Sequence, residues 1–492
     1  MVNFSTIDTI VLIIYFLFTM GIGFAAIGKA SDEEGYTAGG RNMPGWLTGL
    51  SILGSYVSSI SFLGLTGKAY ASNWNAFVFT LSTPIAVFIA TKWFIPFYRN
   101  IGSVSAYEHL EDRFGTWARV YAGLCYLFTQ LARIGAVTYL MALPMNVILG
   151  WNIYAIIIIT GILVTIYTIF GGIVAVIWTE AIQTVVLILG SIGCVLIMIF
   201  AMPEGASQIV SIGIEHNKFS WGSFSFTDLA ESTVWITLLY GLFMNLQNFG
   251  IDQNYVQRYV STKSLYEAKK SVWISAYSYI PLAALFFFIG TSLFAFYNIN
   301  PSLLPKEYAG KPDYVFPFFI VTELPIGARG LLVAAIFAAA MSTISCSLNS
   351  SATILLSDYY KRFFNKNATS KQSMLFLKIA TTIWGTLGTL FALGFISAYN
   401  ALDAWWVLAG IFSGGMLGLF LLGIASKNAK GKIPIVSICV GILVILYMTF
   451  SKYVSWLPTS PFSPLLIPAF GTTTIFMFGL LLTKILSSHK KS

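Results

Sequence analysis

Two stretches of this sequence put oxygen-rich chemistry inside apolar surroundings. The first is GSYVSSISF at 54–62, with Ser55, Ser58, Ser59 and Ser61. The second is AAIFAAAMSTISCSLNSSATI at 334–354. In the second, Ser342, Ser345 and Asn349 follow i, i+3, i+7 and share one helical face. Ala339 lies three before Ser342 and four before Thr343, so one carbonyl and two hydroxyls can converge. If the first stretch unwinds, the carbonyls of Gly54 and Val57 bring the set to five neutral oxygens. A hard monovalent cation takes oxygen ligands of this kind. Proton coupling would favour a titratable group there, and the stretch holds none. The expected ligand is therefore a sodium ion at Gly54, Val57, Ala339, Ser342 and Thr343. For any single serine the alternative stays open that its hydroxyl bonds back to its own helix.

Two charges fall deep in apolar runs: Arg133 in QLARIGAVTYL and Glu180 in VIWTEAIQ. Intramembrane charges cost about 2.5–3.5 kcal/mol on insertion scales and mark functional sites by default. At 1.5 Å per residue Arg133 lies about 20 Å along its helix and Glu180 about 12 Å along its own. A guanidinium suits a carboxylate through two parallel hydrogen bonds, so Arg133 reads as the receptor of an anionic solute. A direct Arg133–Glu180 pair is the alternative, with a depth offset of roughly 8 Å against it. Trp74, Phe77 and Phe79 read as core or belt aromatics, Thr80 as a solute hydrogen-bonder and Lys68 as a snorkelling lysine.

These residues need a scaffold. Of 492 residues 57% are hydrophobic and 10% charged, against about 25% charged in soluble domains. The chain is an all-α integral membrane protein. Thirteen apolar spans can be marked, numbered 0 to 12: 7–28, 44–72, 74–98, 117–148, 152–171, 172–201, 232–251, 271–298, 327–360, 371–398, 401–426, 432–451 and 462–487. Alternate loops hold 19 and five basic residues. With the basic side inside, the N-terminus is outside and the C-terminus cytoplasmic. Lys29, Arg258, Lys490 and Lys491 count as inside, Lys452 as outside. The net charge of +9 is spread over short loops and points to no nucleic acid. The four cysteines lie in apolar spans without metal-ligand spacing and read as small hydrophobes.

A helix can unwind in hydrocarbon only where protein or ligand takes over its freed backbone groups. Span 1 has such a place at 54–61, and span 6 has a second at LQNFG, 246–250, which includes Asn248. Five spans separate the two, which fits a 5+5 inverted repeat with discontinuous helices 1 and 6. The expected units are 1–43, an extra helix; 44–201 and 202–426, the two repeats; and 427–492, peripheral helices.

Taken together, GGR at 39–41, VSSISFLG, GGIVAVIWTEAIQ, QNYVQRY at 253–259 and AAIFAAAMSTISCSLNS resemble the sodium:solute symporter family, which includes the sodium–glucose cotransporters. SSISFLGLTGKAYASNW and ARIGAVTYL look most like its bacterial sialic acid transporters. The resemblance implies 13 helices, a LeuT-type repeat and sodium-driven uptake of N-acetylneuraminic acid across the bacterial cytoplasmic membrane. It implies that Arg133 holds the carboxylate with Ser58 and Ser61; Thr80, Phe77 and Asn248 are further candidate solute residues. Some members carry a second sodium, whose positions here are Glu180, Ser345 and Cys346. A sulfur ligand argues against it. Thr80 stands where such members often have Gln, and Ala76 where some have Phe. The partners expected are an anionic sugar, sodium and the bilayer, with the chain acting as a monomer. Rival readings are symport of a monocarboxylate, neutral sugar or amino acid, or a channel or sensor. No nucleophile–base or metal constellation points to an enzyme.

Overall fold

The computed structural model describes residues 5–25, 32–397, 401–451 and 454–488, and these are helical almost throughout. Lys29, Lys452, Lys490 and Lys491 of the charge count lie outside the described residues. Ten described helices are long and apolar enough to cross a bilayer, and eleven if the bent pair Gly45–Tyr56 and Ile60–Ala71 forms one span. Shorter apolar helices, Thr6–Thr19 and Ile153–Ile166, stand where spans 0 and 4 were expected.

Spans 4 and 5 run on as one helix, Ile153–Ala201, kinked at Gly172, where φ is 52° and ψ is −171°. A side chain would disfavour that backbone conformation, so glycine marks the corner between the two spans.

Span 8, Ala328–Phe364, is the axle of the molecule. Of its apolar window 94% is buried, against 33% for Gly172–Ala201. Its run of Ala and Ser lets neighbours approach closely. It packs on spans 0, 3, 5 and 9 and on the first half of span 1.

Both expected breaks exist, and one is displaced. Span 1 bends by 57° between its two halves. Span 6 is continuous through 246–250: Val234–Ile251 is a regular helix. It breaks instead at Asp252, whose φ of −74° and ψ of 126° are extended, and resumes as Gln253–Ser261. The Asp252 side chain accepts a hydrogen bond from Asn254 N at 2.8 Å and so starts the second half. Gly250 fooled the sequence reading because a helical glycine also serves close packing, here against the Phe94 ring.

On the face where most basic residues gather, ion pairs tie the base of span 8 to a short helix, Glu108–Phe114, and to span 3, Thr116–Leu149. Arg119 reaches Glu111 at 3.0 Å and Asp358 at 2.6 Å, and Arg362 reaches Glu111 at 2.6 Å. The Arg362 guanidinium, with Thr116 and Arg119 beside it, holds the Glu111 carboxyl down to about 2 against burial, which pushes it up. A carboxyl lowered on folding stabilises above its ordinary value of 4.5, and that contribution fades as pH falls through the folded value. Glu111→Gln is therefore expected to lower the melting midpoint in detergent by roughly 1–4 °C at pH 7. The gap between variant and parent should close as pH drops below 4.5; a gap that stays constant into acid rules this ion-pair account out.

Candidate functional site

The break in span 1 is held by side-chain hydrogen bonds. Gly45–Tyr56 ends at Val57, whose φ of −92° and ψ of 111° are extended. The second half opens with a wide π-helical turn, Ile60–Leu65, a form that recurs at functional sites. Each serine of the opening stretch has a partner. Ser58 Oγ accepts from Ile60 N at 3.2 Å and Ser61 Oγ from Ser58 N at 3.5 Å. Ser59 Oγ donates to Val137 O of span 3 at 3.0 Å, and Ser55 Oγ to Glu180 Oε1 at 3.0 Å.

Span 8 faces this break with its own oxygens. Ser342 Oγ donates to Gly54 O and to Ala339 O, both at 3.0 Å. Thr343 Oγ1 lies 3.2 Å from the same Ala339 carbonyl. Gly54, Ala339, Ser342 and Thr343 thus converge, with Val57 following the point where helical pairing ends. The back-bonding alternative holds as well, since the hydroxyls of Ser342 and Thr343 reach a carbonyl of their own helix. Ser342 in addition crosses to span 1. Gly54 lets span 5 approach span 1 from another side: a Cβ there would lie 2.5 Å from Thr184 Oγ1 and 3.0 Å from Glu180 O. Among the described residues no group of His, Cys, Asp and Glu could hold a metal ion, so a cation here would rest on neutral oxygens.

Glu180 does not pair with Arg133. Its partner is Arg258, from the second half of span 6, with Nη2 at 2.5 Å from Oε2 and both side chains wholly buried. Ser51 Oγ donates to the same Oε2 and accepts from Arg258 Nε at 2.8 Å. The sequence reading had counted Arg258 as a loop charge, because it did not foresee the second half-helix. Of the other residues named with Glu180, Ser345 Oγ donates to Ser342 O at 3.1 Å and Cys346 Sγ to Asn254 Oδ1 at 3.0 Å.

Arg133 is 8% exposed, and its Nη2 donates to Ser55 O at 2.5 Å. It lines a cavity of about 90 Å³ between spans 1, 3, 6 and 10. That measures the space open to water centres, of which one water needs about 10–15 Å³. Ser58, Ser61 and Asn248 line the same cavity. Thr80 is buried beside the Tyr279 hydroxyl, and Tyr279 lines the cavity. Phe77 packs against Trp74 and Phe287 and does not reach the lining. Lys68 pairs with Asp403 at 3.1 Å at a second cavity, with Trp406 lining both cavities. Gln130, Asp252, Tyr255 and Trp406 belong to the central lining and were not singled out from the sequence. The one available signal was the aspartate directly before the second half-helix, which is a cap pattern.

The profile of the sodium:solute symporter family matches residues 36–447. The chain belongs to that family. The symporter is 34% identical to the sodium/sialic acid symporter SiaT of Proteus mirabilis, over 94% of this chain and 92% of the relative. It is 33% identical to the sodium/sialic acid symporter NanT of Aliivibrio fischeri, over 97% and 94% of the two chains. A solved Na+-coupled sialic acid symporter, substrate-bound and outward-open, superposes with a TM-score of 0.90 at 31% identity over 98% of each chain. Mhp1, a nucleobase-cation symporter, shares the fold at a TM-score of 0.61 and 15% identity, over 92% of this chain and 94% of Mhp1.

Breaking a buried ion pair from one side strands a charge and costs about 3–5 kcal/mol, whereas removing both partners costs far less. Arg258→Met is expected to destabilise the symporter strongly, and adding Glu180→Gln should recover most of the loss. Melting temperatures of the two single variants and the double variant give the coupling; additive losses would show that the pair is not the interaction that matters.

Proposed function

We propose that this symporter imports sialic acid, N-acetylneuraminate, across the bacterial cytoplasmic membrane on a sodium gradient by alternating access. One observation carries the reading. A buried arginine opens on a polar cavity, one turn from a sodium-type oxygen cluster at a broken helix, in a chain matching two sialic acid symporters along nearly its full length. In this reading Gly54, Val57, Ala339, Ser342 and Thr343 bind sodium. Arg133 holds the sialate carboxylate, and Ser58, Ser61 and Asn248 hold its polar groups. Thr80 acts through Tyr279, and Phe77 supports the wall without touching solute. Thirteen spans, the 5+5 repeat with its boundaries near 44, 202 and 427, and an outside N-terminus complete the proposal.

Sodium between spans 1 and 8 fixes the break, and the fixed break presents Ser58 and Ser61 to the solute. Each ligand then raises the other's affinity by the same factor. We assign one sodium per cycle. The Glu180 carboxylate is already held by Arg258, and the Cys346 thiol is turned to Asn254. One sodium with one sialate moves no net charge. A second sodium would add about 2.3 kcal/mol of driving force per 100 mV.

The test is uptake of radiolabelled sialic acid into proteoliposomes. Sodium-gradient dependence is expected. Arg133→Ala should lower uptake at least about 30-fold, in line with the 2–5 kcal/mol of a buried charge pair. Ser342→Ala should weaken sodium activation about tenfold, the loss of one charge-assisted contact, and no substrate-induced current should appear. Sodium-independent uptake or a fully active Arg133→Ala would defeat the assignment, and a current of one charge per solute would defeat the one-sodium count.

A further inference from the structure

Arg133 shares its cavity with a carboxylate. Asp252, at the break of span 6, is 4% exposed and lines the same space. Its Oδ1 caps the second half-helix through Asn254 N at 2.8 Å, and its Oδ2 lies 3.5 Å from Gln130 Nε2. Among the described residues no acid lies within ion-pair distance of Arg133, which spends its Nη2 on the Ser55 carbonyl. Asp252 and Tyr255 line the cavity with it. Oδ2 thus keeps only one long hydrogen bond. Beside it in the lining, the buried Gln130 Oε1 and Tyr255 hydroxyl have no hydrogen-bond partner. The cavity therefore offers a fixed positive end and, beside it, a fixed negative end with spare acceptor and donor capacity.

We propose that Asp252 is a specificity-determining residue of the central cavity, selecting anionic solutes that carry hydroxyl or amide donors near the carboxylate. The inference rests on the sialic acid reading and deepens it. A carboxylate drawn to Arg133 is repelled by Asp252 across the same low-dielectric space. A donor on the solute that bonds Oδ2 offsets that repulsion, and a solute without one leaves a buried carboxylate short of partners. Sites that hydrogen-bond a solute hydroxyl reject analogues lacking it far more strongly than apolar pockets reject an added group. Asp252 thereby penalises simple carboxylates that Arg133 alone would accept.

The experiment uses Asp252→Asn, which keeps the cap because Asn and Asp are about equal at that position. Inhibition of sodium-driven sialic acid uptake is measured for a panel of single-deoxy and N-deacetylated sialic acids. In the parent, the analogue missing the donor that faces Asp252 should inhibit at least about tenfold more weakly than sialic acid. In Asp252→Asn that ratio should fall towards one, and simple carboxylates should inhibit more strongly than in the parent. Asp252→Ser, a second capping residue, should behave alike, and sodium-dependent thermal stabilisation of either variant shows that it is folded. Ratios unchanged across the panel in the folded variants overturn the role of Asp252 while leaving sialic acid transport intact. A parent that takes up no sialic acid overturns the parent reading and this inference with it.

Discussion

A helix that unwinds inside a membrane must find partners for its backbone within the protein, because no water is there to supply them. The rest of this structure depends on that constraint. At Val57 and Asp252 the chain leaves the helical conformation, and each departure is matched by nearby side chains. At span 1 the matching comes from hydroxyls: Ser58 and Ser61 serve the local amides, and Ser342 reaches across to the Gly54 carbonyl. At span 6 it comes from the Asp252 carboxylate on Asn254 N. A serine-rich stretch in an apolar span thus answers a bookkeeping problem of hydrogen bonds first. Its fitness for a cation follows, because the oxygens that replace helical pairing are neutral, close and inward-facing.

The two breaks are joined through Ser55. Its hydroxyl donates to Glu180, which is paired to Arg258 of the second half of span 6. Its carbonyl, near the end of the first half of span 1, accepts from Arg133. Ser55, in the last turn of that half-helix, therefore touches both the buried ion pair and the arginine that opens on the cavity. A shift of the first half of span 1 cannot leave either unaffected. The tyrosine beside it extends the tie: Tyr56 donates to Asn245, whose amide reaches Ser82 Oγ at 2.9 Å. Sodium between spans 1 and 8 would act on a segment already wired to spans 2, 3, 5 and 6, which is the kind of contiguous packed network that can carry coupling.

Much of this was legible in the chain. Long apolar runs marked most of the membrane-length helices to within a few residues, and the corner between spans 4 and 5 fell at Gly172. The oxygen face of span 8 followed from helical periodicity, since Ala339, Ser342 and Thr343 are neighbours in sequence and need no tertiary knowledge. The break of span 6 was misplaced because Asn248 and Gly250 have the composition of a breaker, while the deciding features were the conformation of Asp252 and its cap. The Arg258–Glu180 pair was hidden for a different reason. Its partners are 78 residues apart, and Arg258 looked like a loop charge once its half-helix had been missed. Phe77 packs against Trp74 and Phe287, as the reading of it as a core or belt aromatic expected.

The arrangement of charge around the centre bears on what such a carrier can move. Arg258 and Glu180 cancel within a buried pair. Arg133 and Asp252 face one cavity with opposite sign. Neutrality matters here because every unit of charge shifted through the field does about 2.3 kcal/mol of work per 100 mV. An interior that is neutral before loading stays neutral after accepting one cation and one carboxylate together, and becomes charged if it accepts either alone. A lone sodium would add an unmatched positive charge next to Arg133, and a lone anion an unmatched negative charge next to Asp252. Both partly loaded states carry an electrostatic penalty that the doubly loaded state avoids. On the proposed count of one sodium, strict coupling of cation to anion would need no separate gate for each, because the charge balance of four fixed residues would disfavour movement with one ligand missing.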